Sequence, residues 1–258
     1  MDLGIQGKWA VVCGASKGLG YACADALARE GVNLVINARS ADTLEQAAKA
    51  LAGYGVQVKA VAANIAQPQG QQAVLAAAPS VDILITNAGG PPRGEFRDFE
   101  RDHWIKALEQ NMITPLELIK ATIDGMIARG FGRIVNITST SVKAPIDGLT
   151  LSNGARAGLT GVVAGIAREV AAHNVTINNL LPGKFETDRL RDSLHGKAQA
   201  NGHSLQDELR AQAAHIPAKR IGQPPEFGHA CAFLCSAYTG YITGQNLVID
   251  GGAYRGVL

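Results

Sequence analysis

The chain has no excess of charge of either sign: 24 Lys and Arg stand against 22 Asp and Glu, a net charge of +2. Such a balance offers nucleic acid or an anionic membrane little electrostatic footing, so neither is expected as a partner. No apolar run approaches the length of a membrane span. The stretch Met1-Asp-Leu-Gly-Ile-Gln-Gly-Lys8 lacks the layout of a secretion signal, and a cytoplasmic protein is expected. Cysteine is scarce, at positions 13, 23, 231 and 235. The last two lie one helical turn apart, but no His/Cys cluster completes a metal site, so buried reduced thiols and no metal are expected. Repeats, low-complexity tracts and linkers are also missing. The 258 residues, 47% of them hydrophobic, suit one α/β domain spanning 1–258 with a large core.

What the chain does have is organised around one stretch near its start. A short apolar run from Trp9 passes through Gly14, Gly18 and Gly20 into an Ala/Leu-rich helical pattern that stops at Gly31. A second apolar run, Val32-Asn-Leu-Val-Ile36, follows at once. This is strand, glycine turn, helix, strand, the first βαβ unit of a nucleotide-binding sheet. Glycines are needed because side chains would hold a phosphate away from the backbone N–H groups, while the helix that opens there adds unpaired donors and the positive end of its dipole. An ordinary tight turn has the same glycines, so the rest of the chain has to decide.

Further strands are expected at Val56–Ala62, Val81–Thr86, Gly132–Thr138, Val175–Leu181 and Asn246–Ile249, with helices at about 18–30, 42–52, 69–77, 101–129, 153–173, 204–214 and 225–236. Apolar strands separated by helices imply a doubly wound, Rossmann-type parallel sheet of seven strands covered on both faces. The ligand cleft of such a sheet lies outside the carboxyl ends of its strands. At the end of the second strand, where many NAD-binding proteins place an acid against the ribose, stand Asn37, Arg39 and Ser40. With Lys17 in the glycine turn, two cations and no carboxylate favour a 2′-phosphate, hence NADP(H) over NAD(H). Both cations could instead be solvated surface charges.

The spacing Gly14-x-x-x-Gly18-x-Gly20 resembles the glycine motif of the short-chain dehydrogenases/reductases, and the resemblance runs from about Gly7 to Gly252. Within it, Gly14, Ser16, Lys17, Gly18, Leu19 and Gly20 correspond to the cofactor turn. Asn64-Ile65 is similar to an adenine-contacting Asp-Val pair, with Asn in place of Asp. Asn87-Ala88-Gly89 matches the family's Asn-Ala-Gly segment, and Pro182-Gly183 with Thr187 matches the segment that approaches the nicotinamide carboxamide. Asn111 matches an Asn that disturbs the long helix and holds a proton-relay water. The resemblance is to the classical type, similar to 3-oxoacyl-(acyl-carrier-protein) reductases, and it implies a homo-oligomer, a tetramer, paired through the 101–129 and 153–173 helices. It also implies a substrate lid at about 184–216, where polar stretches around His195–His203 separate two helical pieces.

The catalytic pattern is broken at its centre. In the family a Ser orients the substrate carbonyl, and a Tyr, assisted by a Lys four residues later, donates the proton. Ser139 supplies the first, but Ser152 and Arg156 stand where the Tyr and Lys are expected. A phenol titrates near pH ~10 and can be tuned, whereas an aliphatic hydroxyl is a far weaker acid. Arg keeps its proton, so the ribose-binding and electrostatic part of the Lys role can pass to Arg156, which is placed among both catalytic and cofactor-binding residues. Lys143, Asp147, Lys184, Glu186 or a water held by Ser139, Ser152 and Arg156 remain as substitute proton donors. Three readings stay open: an NADP(H) oxidoreductase of a small carbonyl, imine or alkene with a non-standard donor; a non-redox enzyme using Arg156 as an anion clamp; and a silent nucleotide-binding or regulatory protein.

Overall fold

The computed structural model describes residues 2–257, and the side chains of all of these but Lys197, Ala200 and Asn201. Seven strands, β1 Trp9–Cys13, β2 Asn33–Ala38, β3 Val58–Ala62, β4 Ile83–Thr86, β5 Gly132–Ile137, β6 Val175–Pro182 and β7 Asn246–Ile249, form one parallel sheet in the order β3-β2-β1-β4-β5-β6-β7. Parallel neighbours cannot be joined by a tight turn, so the chain returns through helices that cover the sheet. These are α1 Gly18–Arg29, α2 Ala41–Ala52, α3 Pro68–Ala77, α4 Arg101–Leu108, α5 Thr114–Arg129, α6 Thr150–Val170, α7 Asp188–Asn201, α8 Leu205–Ala214 and α9 Pro224–Cys235.

Both faces of the central strands are buried, which is why those strands are mostly apolar. Along β1, Ala10 and Val12 enter one core with Leu27 of α1, Leu44 of α2 and Phe227 of α9. Trp9, Val11 and Cys13 enter the other with Val74 of α3, Leu118 of α5 and Leu159 and Val163 of α6. Each fully buried Leu, Val or Ile contributes about 1.5–3 kcal/mol against exposure, and this two-sided burial sets the register of the strand ends that build the site. The four cysteines are buried free thiols.

Two expectations about the helices are modified. The continuous helix over 101–129 is α4 and α5 joined by a π-helical turn, Glu109–Ile113. The polar stretch in the 184–216 segment is helical instead of open: α7 runs through His195 and Gly196 to Asn201 and ends at Gly202 with φ 69°. Gly196 costs about 1 kcal/mol in a helix. Against that cost, Leu194 and Ala198, one turn apart, are both buried, and the Thr187 hydroxyl caps the first turn by accepting from the Leu190 N–H at 3.4 Å. The strand order reverses direction between β1 and β4, which opens a crevice beyond their carboxyl ends.

Candidate active site

The glycine turn leaves β1 at this reversal. Gly14 has φ 61°, and a Cβ there would lie 2.6 Å from Asn87 Nδ2. A Cβ on Gly20 would lie 2.2 Å from the Gly14 carbonyl oxygen. Asn87, just past β4, donates from Nδ2 to that same oxygen at 3.3 Å, so it locks the turn from the neighbouring strand. Gly18 begins α1 with φ 63°, 3.7 Å from the Thr187 methyl for a Cβ placed on it. No side chain caps the N-terminus of α1, and its first N–H groups lie beside a turn whose Gly14, Gly18 and Gly20 carry no side chain. That is the donor set a pyrophosphate requires, so the residues fit a dinucleotide. Ser16 and Leu19 are half-buried along the turn, and Leu19 packs on the core.

At the end of β2 the side chains divide their work. Asn37 is buried, and its Nδ2 donates to the carbonyl oxygens of Val61 and Ala63 at 2.8 and 3.0 Å, tying β2 to the end of β3. Arg39 and Ser40 are exposed. Lys17 is exposed as well and pairs with Asp188 at 3.2 Å. Asn64 accepts at Oδ1 from the Ala66 N–H at 3.2 Å, forming the turn into α3, while Ile65 packs against the core. Ala88 is half-buried and Gly89 exposed, both at the mouth of the crevice. Pro182 and Gly183 lie at the end of β6, and a Cβ on Gly183 would come within 2.6 Å of Asp250 Cβ.

The residues replacing the expected Tyr and Lys act as a pair. Arg156 is buried, donates from Nε to Ser152 Oγ at 3.1 Å, and donates from Nη1 to the carbonyl oxygens of Ile137 and Thr138 at 2.8 and 3.0 Å. It is thereby pinned to the residue preceding Ser139. Burial, aided by the charge of Arg189, pushes the Arg156 guanidinium down to about 10, so it remains a cation at neutral pH. Ser139 follows β5 and accepts at Oγ from the Ser141 N–H at 3.1 Å. Asn111 lies in the π-helical turn, donates to the Ala107 carbonyl at 3.3 Å, and has a buried Oδ1 with no partner among the described residues. The turn docks on α6 where Gly158 makes room for Met112, whose Sδ would be 2.8 Å from a Cβ there.

Of the substitute proton donors, two are occupied elsewhere. Lys184 donates to Gln212 on α8. Glu186 accepts from Gln223 at 2.8 Å and from Arg191, and these bonds hold its carboxyl below the usual range and therefore ionised. Lys143 directly follows the 3-10 turn Thr140–Val142 that Ser139 caps, and it is half-buried.

One feature was not singled out from the sequence. Thr86, Asn136, Asn179 and Asn246 form a chain of side-chain hydrogen bonds across β4, β5, β6 and β7, at 2.6, 3.0 and 2.8 Å, which sets the strand ends relative to one another. The signal was present: polar residues interrupt otherwise apolar strands at paired positions. Arg189, on the first turn of α7, reaches the loop after β4, its Nη2 and Nη1 standing 2.8 and 3.0 Å from where a Cβ on Gly90 would be. Its direction could not be read without the fold.

Comparison with known proteins agrees with this architecture. A family model described as enoyl-(acyl carrier protein) reductase matches residues 14–254. The 3-oxoacyl-(acyl-carrier-protein) reductase FabG of Vibrio cholerae is 36% identical, covering 98% of this chain and 99% of its own. L-Sorbose reductase from Gluconobacter frateurii, solved with NADPH and L-sorbose, superposes with a TM-score of 0.95 at 32% identity, covering 100% of both chains. YwfH, an NADPH-dependent reductase involved in bacilysin biosynthesis, superposes at 0.91 with 28% identity over 97% of this chain and 99% of its own. The sheet order, the locked glycine turn and these matches over nearly the whole chain establish that it belongs to the short-chain dehydrogenase/reductase family of oxidoreductases.

Proposed function

We propose that this protein is an NADP(H)-dependent oxidoreductase that interconverts a small carbonyl, imine or activated alkene and its reduced form. The observation that carries this reading is the glycine turn after β1, closed by Asn87 after β4, together with Ser139 after β5 and the Ser152–Arg156 pair of α6, whose guanidinium is bound to the end of β5. Gly14, Ser16, Gly18, Leu19 and Gly20 would hold the pyrophosphate side of the cofactor. Lys17, Arg39 and Ser40 would meet its 2′-phosphate, beside Asn37. Asn64 and Ile65 would border the adenine, and Ala88, Gly89, Pro182, Gly183 and Thr187 the nicotinamide end. When bound, the nicotinamide supplies or accepts the hydride.

The chain's own residues handle the proton. Ser139 Oγ orients the reacting oxygen or nitrogen. Ser152 Oγ accepts from Arg156 Nε, which leaves its own O–H free to donate and makes that proton more acidic through the adjacent cation. The Arg156 charge stabilises negative charge that develops as hydride arrives. Asn111 Oδ1, buried and unpartnered, is an acceptor for a water that refills the proton. A serine hydroxyl is a weak acid, so this arrangement favours substrates that demand little proton transfer, iminium ions and polarised alkenes among them.

The apolar groove between α5 and α6, lined by Leu116, Ile119, Ile123, Val162 and Ile166, supports assembly as a homotetramer paired through these helices. The chain is read as one cytoplasmic domain over 1–258, with the 184–216 segment as its lid. The decisive experiment titrates NADPH and NADH into the wild type and into the Lys17→Ala/Arg39→Ala variant by calorimetry. NADPH binding that the variant weakens, followed by nicotinamide oxidation with a carbonyl, imine and enone panel and its loss in Ser139→Ala, supports the reading. No binding of either nucleotide overturns it.

A further inference from the structure

We propose that Asp188 is a cofactor-selectivity residue: its carboxylate holds Lys17 in the free protein and so competes with the 2′-phosphate of NADP(H) for that cation. The inference rests on the NADP(H) reading, in which Lys17 meets the 2′-phosphate, and deepens it. Lys17 Nζ lies 3.2 Å from Asp188 Oδ2. The pair joins the glycine turn after β1 to the first residue of α7. The contact is anchored by its neighbours in the chain. Lys17 directly precedes Gly18 and Asp188 directly follows Thr187, and a Cβ on Gly18 would lie 3.7 Å from the Thr187 methyl. On the other side, Arg189 packs on the loop after β4, its Nη2 2.8 Å from where a Cβ on Gly90 would be. Contacts on both sides of Asp188 thus hold the first turn of α7 beside the glycine turn.

No other charge satisfies either partner. Among the described residues Asp188 pairs only with Lys17, and Lys17 only with Asp188. The nearby Glu186 is bound by Arg191 and Gln223. Arg39, the other cation read at the 2′-phosphate, makes no ion pair among the described residues, so only Lys17 is engaged in advance. A phosphate that takes Lys17 must displace the carboxylate or sit beside it, and either loses part of the attraction. NADH makes no such exchange, because its 2′-hydroxyl is neutral. Both cofactors carry the same pyrophosphate, so any effect of the Asp188 charge on that group cancels in the ratio of the two affinities. The side chains of Lys17 and Asp188 are 65% and 62% exposed, so solvent screens the pair and limits the effect to a few-fold.

The test titrates NADPH and NADH calorimetrically into the wild type, Asp188→Asn, Asp188→Glu, Lys17→Ala and Lys17→Ala/Asp188→Asn. Asp188→Asn should bind NADPH about two- to fivefold more tightly and raise the NADPH-to-NADH affinity ratio by the same factor. Asp188→Glu keeps the carboxylate and should keep the wild-type ratio. In the Lys17→Ala background the Asn substitution should leave the ratio unchanged, a coupling that a merely structural role for Asp188 would not produce. Asp188 also lies in the first turn of α7, where an acid favours the helix, so the readout is the ratio and not the Tm. An unchanged or lower ratio in Asp188→Asn overturns the proposal, and so does a gain that persists without Lys17. If the wild type binds neither nucleotide, the NADP(H) reading fails and this proposal with it. If it binds NADPH and the ratio does not move in Asp188→Asn, only this proposal fails.

Discussion

Nε of Arg156 lies 3.1 Å from Oγ of Ser152, one turn earlier on α6, and its Nη1 bridges the carbonyl oxygens of Ile137 and Thr138. The two side chains therefore form one hydrogen-bonded unit. A lysine offers a single nitrogen and cannot reproduce this fork to three acceptors on two elements. Arg156→Lys is expected to leave at least one buried acceptor unpaired and to cost about 1–3 kcal/mol. A lowered Tm in a thermal melt, at unchanged helix content, checks this.

Ser152→Tyr combined with Arg156→Lys restores the usual acid and its partner. Ser139 and Asn111 already stand on the elements that flank α6, so the double variant should reduce simple ketones faster than the wild type does. The readout is NADPH oxidation over a neutral ketone panel. An inert, folded double variant would mean that the cleft has moved along with the two residues.

Asn37→Asp places the acid that NAD-preferring proteins use at this strand end, but here the side chain is structural. Its Nδ2 serves the Val61 and Ala63 carbonyls, and a carboxylate donates nothing to them. The substitution should cost about 2–4 kcal/mol, and it should fail to convert cofactor preference to NADH. Denaturant unfolding and paired NADH and NADPH titrations test both halves.

Gly20→Ala puts a methyl 2.2 Å from the Gly14 carbonyl oxygen and 2.8 Å from Asn87 Nδ2. The turn must open, breaking the Asn87 lock, at a cost of about 1–3 kcal/mol of overpacking. NADPH affinity should fall at least about tenfold, since the donors that face the pyrophosphate lose their alignment. Calorimetry at a temperature well below the variant's Tm separates the two effects.

Glu226 sits on the first turn of α9, paired in fork fashion with Arg220 at 2.7 and 2.6 Å and accepting from the Gln223 N–H at 2.8 Å. These bonds, led by Arg220, hold its carboxyl at about 2, below its ordinary 4.5. A carboxyl depressed in the folded state stabilises fully above the unfolded value and loses that contribution as pH falls through the folded one. Glu226→Gln keeps an acceptor for the Gln223 N–H but loses the charge pair with Arg220, so it should be less stable than the wild type at neutral pH, by up to about 1 kcal/mol. The gap should close as the pH falls from 4.5 towards 2. Melting curves of both proteins over that range decide it.

The sequence by itself determined the strands, most helices and the glycine turn. Apolar runs, helical periodicity and turn glycines are properties of neighbouring residues, and Asn246–Ile249 is β7 as read. Ser152 and Arg156 were legible as a pair one helical turn apart, and they are hydrogen-bonded to each other on α6. Only the tertiary structure decided what those side chains touch. Asn37 and Asn111 look alike in the chain, yet one has its amide nitrogen spent on the β3 backbone and the other keeps a buried oxygen without a partner. The polar stretch around His195–His203 was expected to separate two helical pieces and is helix as far as Asn201, with Leu194 and Ala198 buried one turn apart. Arg189 lies in the expected lid segment, and only the fold brings it against Gly90, 99 positions earlier in the numbering. Local pattern sets which elements form; which polar atoms are satisfied, and which are left to meet a ligand, depends on contacts between residues far apart along the chain.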